Sequence, residues 1–100
     1  MLRLALVGGI HGQVTFETRK GAKTLAFERG TVQSVAGSVI TVKAPDGSTM
    51  TWDLFGKTVV RELGHRVAAS SLESGDLVFV AGPVVGGAND ARIIRIRPAA

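Results

Sequence analysis

The chain has 100 residues, a length that holds one domain and excludes a multidomain enzyme or a complete Rossmann or TIM architecture. It is 45% hydrophobic, with 13 glycines and no cysteine, which excludes a disordered chain, disulfide staples, thiolate metal sites and a cysteine nucleophile. Lys and Arg number 12 against 8 Asp and Glu, a net charge of +4; that balance permits attraction to nucleic acid, anionic lipid or an acidic polymer and requires none of them.

Met1 to Ile10 (MLRLALVGGI) has the apolar character of a signal-peptide core but is short for one, carries a single basic residue and lacks a small-residue cleavage site. The chain therefore reads either as cytoplasmic or as a mature fragment of an exported protein. No stretch approaches the roughly 20 apolar residues that span a bilayer. From Val14 onward the periodicity is two, as in strands. Val14 and Phe16 alternate with Thr15 and Glu17, and Arg19 to Lys23 is a polar turn. Thr24 to Val35 reads as one long strand with Leu25 and Phe27 on its apolar face. The apolar phase then passes to Val32, so a bulge or sharp bend is expected at Gly30.

A turn at Ala36-Gly37-Ser38 leads to a strand over Val39 to Ala44. Pro45-Asp46-Gly47-Ser48 follows as a hairpin turn, since Asp-Gly accepts positive φ at low cost. Thr49 to Phe55 puts Met50, Trp52 and Leu54 on one face, and Phe55 falls out of phase with them, next to Lys57. Lys57 to Glu62 and Arg66 to Ala69 are short strands around a break at Leu63-Gly64-His65. Ser70 to Asp76 is a turn or a single helical turn. Leu77 to Val85 is apolar on both phases, as in a strand buried on two sides, with an interruption expected at Gly82-Pro83. Gly86 to Asp90 reads as a loop and Ala91 to Arg97 as a closing strand.

Three pieces carry a resemblance: Arg29-Gly30-Thr31-Val32-Gln33-Ser34-Val35 with Ile40 to Lys43; the Asp46-Gly47 turn with Thr51 to Leu54; and Leu72-Glu73-Ser74-Gly75-Asp76-Leu77-Val78-Phe79-Val80-Ala81-Gly82 closed by Ala91 to Ile94. Over residues 28–97 this order resembles the small barrel family catalogued as domain of unknown function 5666, in the form found in exported actinobacterial proteins. The resemblance implies an OB-like barrel and a secreted or cell-envelope setting, and it carries over no catalytic residue. In the Leu-x-x-Gly-Asp piece, Leu72 should plug the barrel end, Gly75 should take an unusual φ and Asp76 should bond nearby backbone N–H groups.

Candidate chemistry is sparse. His11 and His65 form no metal-ligand spacing. Ser70, Ser71 and Ser74 lie near His65, Glu73 and Asp76, but there is no nucleophile elbow, and a turn gathers these residue types for capping. Gly8-Gly9-Ile10-His11-Gly12 and Gly86-Gly87 lack the context of a phosphate loop. The reading is thus an all-β chain, a small OB-like or SH3-like antiparallel barrel of six to eight strands. One domain spans 1–100, with a core over about 24–97 and an appended hairpin at 10–23. It is expected to be a non-enzymatic binding module without a cofactor, directed at a protein or an anionic cell-envelope polymer, and able to form an oligomer. Lys43, Phe55, Lys57, Arg92, Arg95 and Arg97 are the candidate anion-binding surface. The alternatives are an OB-type binder of single-stranded nucleic acid in the cytoplasm and, more weakly, an accessory barrel of an enzyme.

Overall fold

A computed structural model describes residues 11–97; the expectations for Met1 to Ile10 and for the last three residues fall outside this range. The described residues form nine strands: β1 (His11–Thr18), β2 (Gly21–Ala36), β3 (Val39–Lys43), β4 (Thr49–Asp53), β5 (Val59–Glu62), β6 (His65–Val67), β7 (Leu77–Val85), β8 (Ala88–Asp90) and β9 (Ile93–Arg97). One turn of 3-10 helix, Ala69–Ser71, precedes β7. The sheet order is β1-β2-β3-β4-β8-β7-β9-β5-β6, and a further pairing of β2 with β7 closes β2, β3, β4, β8 and β7 into a five-stranded barrel. The single parallel pair within this ring is β4–β8, the order of an OB-like Greek-key barrel. The other four strands flank the ring. β1 lies along the first half of β2, and β9, β5 and β6 extend the sheet outward from β7.

The barrel interior is filled by one parity of each strand. Ala26, Glu28, Gly30 and Val32 point inward from β2, Ile40 and Val42 from β3, Trp52 from β4, and Val78 and Val80 from β7. Ile94, Val60 and Leu72 complete the same core beneath the flanking strands. Trp52 is fully buried and Leu72 nearly so, as their sequence contexts predict. Gly75 has φ 101°, and the Asp76 carboxylate accepts a hydrogen bond from the Glu73 backbone N–H at 2.9 Å.

Several expectations are corrected. Leu25 and Phe27 point away from the core, and Leu25 is exposed; the inward positions are their small or polar neighbours. Inward parity is unbroken from Ala26 to Val32, so no phase change occurs at Gly30. The irregularity lies instead between Val32 and Ser34. Gly30 is needed for a different reason: a Cβ there would sit 2.2 Å from the carbonyl oxygen of Lys43, where two backbones cross. Gly82 is the second such crossing, with a Cβ position 1.8 Å from the Asp90 oxygen. β7 runs through Gly82-Pro83 without interruption, with Pro83 in register opposite Leu25 of β2. Ala88 to Asp90, read as loop, is the short strand β8 that closes the ring.

Candidate functional site

The outer face of the sheet carries a row of basic residues assembled from five strands. Arg29 on β2 lies opposite Phe79 on β7. Phe79 lies opposite Arg95 on β9, Arg95 opposite Arg61 on β5, and Arg61 opposite Arg66 on β6. Residues opposite one another in a sheet point to the same face, with strands about 4.8 Å apart, so the row spans roughly 20 Å. A second row runs beside it: Lys43, Thr31, Leu77 and Arg97. On the other side lies an apolar band of Phe27, Ala81, Ile93 and Val59, which explains why an outward Phe27 is still half-buried.

The four arginines and Lys43 are exposed, and Phe79 is half-buried among them. Among the described residues the one ion pair is His11–Asp46, so no carboxylate neutralises the row. Like charges directly opposite in a sheet destabilise it, by about a few tenths of a kcal/mol per pair. Arg95, Arg61 and Arg66 form two such pairs in succession. A cavity of about 540 Å³ lies over the row, lined by Arg29, Arg61, Leu63, Phe79, Arg95 and Arg97. A second cavity of about 540 Å³ shares Arg29 and Arg97 and adds Thr31, Lys43 and Leu77. Guanidinium groups keep their charge at any working pH and bind carboxylate or phosphate oxygens in a two-pronged geometry. The arrangement is suited to holding an extended anion.

Of the residues read from sequence, Arg95, Arg97 and Lys43 belong to this face. Phe55 and Lys57 do not: they lie in the turn after β4, where the Thr58 N–H bonds the Phe55 oxygen at 2.9 Å. That turn is held against Ala91 and Arg92 through the Thr58 hydroxyl and the Val59 N–H, which places Arg92 apart from the row. Arg29, Arg61, Arg66 and Phe79 were not legible as a site, because strand register alone brings them together. The face usual for ligands on an OB barrel is centred on its second and third strands. Here those are β3 and β4, whose outward residues include Thr41, Thr49 and Thr51 and no aromatic ring.

Beneath the row, on the inner side of β2, lies Glu28. It has no exposed surface. The Trp52 indole N–H donates to its Oε1 at 2.9 Å, and its Oε2 has no partner. Burial penalises the charged form and pushes its pKa from 4.5 up to about 7; the Trp52 bond and the charge of His11 oppose this, and Asp46 adds to it. His11 is the register partner of Glu28 on β1 and bonds the Asp46 carboxylate at 2.9 Å. Asp46 itself is held well below the usual carboxylate range, first by the Ser48 hydroxyl, then by the Ser48 backbone N–H and His11.

Comparison with protein-family models, with curated proteins and with solved structures gave no match in any of the three. Among the described residues, no helix is long and apolar enough to cross a membrane.

Proposed function

We propose that this chain is a non-enzymatic binding module that holds an extended polyanion on the outer face of β2, β7, β9 and β5. The observation that carries this reading is the row Arg29, Phe79, Arg95, Arg61 and Arg66, with like charges opposite one another and, among the described residues, no ion pair made by any of its arginines. Such a row weakens the free protein, and an anionic ligand relieves that repulsion. The resemblance of residues 28–97 to exported barrels supports a cell-envelope setting with a phosphate- or carboxylate-bearing polymer as ligand. A second reading, single-stranded nucleic acid, is supported by the OB-like closure and by Phe79, which stands between Arg29 and Arg95 in the row.

Inorganic polyphosphate is the first probe. Wild-type protein should bind it at low salt, with affinity falling on added salt at a log–log slope of about three for four guanidinium contacts. Replacing Arg61, Arg95 and Arg97 together by Gln should abolish binding. Replacing Arg19, Lys20 and Lys23 by Gln removes the same charge from the tip of the β1–β2 hairpin and should leave most of the affinity. Equal losses in the two triple variants would reduce the effect to net charge and sink the reading.

A further inference from the structure

The tip of the β5–β6 hairpin holds a residue that local stability does not account for. Leu63 and Gly64 form its two-residue turn, with φ 53° and 82°. Both values are positive, as in the turn type that favours Asn-Gly. Leu63 is the sole non-glycine residue with positive φ among the described residues. It is also 72% exposed, the most exposed of the large hydrophobic side chains there. A leucine in this place meets an unfavourable backbone conformation and buries almost nothing in return.

Its position gives it a use. Leu63 lines the same cavity as Phe79 and the arginines. Arg61 ties the turn to the row, since its guanidinium donates to the Gly64 carbonyl at 3.0 Å. The cavity thus presents guanidinium groups with an apolar side chain at its rim and an aromatic ring at its floor. We infer that Leu63 is a specificity-determining contact, which makes the site select polyanions whose charged groups alternate with flat apolar rings, the chemistry of single-stranded nucleic acid. Bare polyphosphate satisfies the arginines but leaves Leu63 and Phe79 without a partner. A flat lipid surface does not reach Phe79, which is half-buried between Arg29 and Arg95. A strand that splays one ring out of its phosphate chain reaches both.

This inference rests on the polyanion reading above, and the test separates the two. Fluorescence anisotropy compares labelled oligothymidine with an abasic strand of equal length and charge, on wild-type protein and on Leu63→Asn. Asparagine suits the turn, so the variant keeps the fold and should melt no lower than wild type. Wild type should prefer oligothymidine about fivefold or more, the size of one base–aromatic contact, here a base stacked on Phe79 and held there by Leu63. Leu63→Asn should lose most of that preference and keep its affinity for the abasic strand. Equal binding of both strands by wild type, or a preference unchanged in Leu63→Asn, overturns the role of Leu63 and leaves the arginine row standing. Failure of both strands to bind while inorganic polyphosphate still binds overturns this inference and leaves the polyanion reading standing, failure of polyphosphate as well overturns both, and capture by vesicles of anionic phospholipid with no strand binding assigns the face to a membrane surface and overturns this inference.

Discussion

Replacing Glu28 by Gln should make the protein more stable above neutral pH and leave it nearly unchanged in acid. Glu28 is fully buried, with one oxygen bonded to Trp52 and the other unpartnered. Its proton is held to about pH 7 in the folded chain against 4.5 for an ordinary glutamate. Below pH 4.5 both states carry the proton, and the folded state suffers no penalty. Between 4.5 and 7 the unfolded chain ionises while the native one does not, so stability falls as pH rises. Above 7 the loss is complete. At about 1.4 kcal/mol for each tenfold change in proton affinity, the gap corresponds to about 3 kcal/mol. Glutamine accepts the same bond from Trp52 and never ionises. Urea denaturation followed by the fluorescence of Trp52, the sole tryptophan, would measure the difference between variant and wild type. It should be near zero at pH 4 and reach about 3 kcal/mol in favour of the variant at pH 8, with His11 and Asp46 common to both proteins. Parallel pH profiles for the two proteins would refute the buried-acid argument.

Four further outcomes are expected. Trp52→Phe removes the one donor to Glu28, so the native proton should be held to still higher pH; the stability loss relative to wild type, followed by circular dichroism, should grow from pH 5 to pH 8. Gly82→Ala places a methyl group 1.8 Å from a backbone oxygen and should cost about 3 kcal/mol or more in thermal or urea unfolding. Gly56→Ala, with open space around its Cβ position and no positive φ, should be neutral or stabilise by up to about 1 kcal/mol. Arg95→Ala should weaken polyphosphate binding and lower the salt slope by a little under one, whereas Arg92→Ala, which lies apart from the row, should change neither.

The turns and the all-β character were legible because they rest on local chemistry. Gly47, in the Asp46-Gly47 turn, and Gly75 take positive φ where the residue types demand it. Facing was less legible. In β2 the bulkier apolar residues Leu25 and Phe27 lie outside, while Ala26, Glu28 and Gly30 face a narrow interior already filled by Trp52. Alternation cannot reveal a strand whose inward positions are small or acidic, and a glutamate on an inward position reads as a surface residue. β8 is three residues long and polar in composition; its parallel pairing with β4 exists because the ring closes, not because its own sequence favours a strand. The arginine row was illegible for a similar reason. Arg29 and Arg95 lie far apart in sequence, and three inter-strand registers are needed to align them with Arg61.

The chain leaves the closed ring after β4 and returns to it at β7, and between these points it builds β5 and β6. Arg61, Leu63 and Arg66 therefore stand on an insertion, whereas Arg29 and Phe79 stand on the ring itself. Closure depends on the ring strands and the two glycine crossings, none of which the insertion supplies. The β5–β6 tip and its charges are thus separable from ring closure, although Val60 of β5 belongs to the core. A grafted hairpin of different tip and charge, seated on β9, would alter what the face accepts while the barrel keeps its architecture, a division of labour that lets one scaffold carry many ligand preferences.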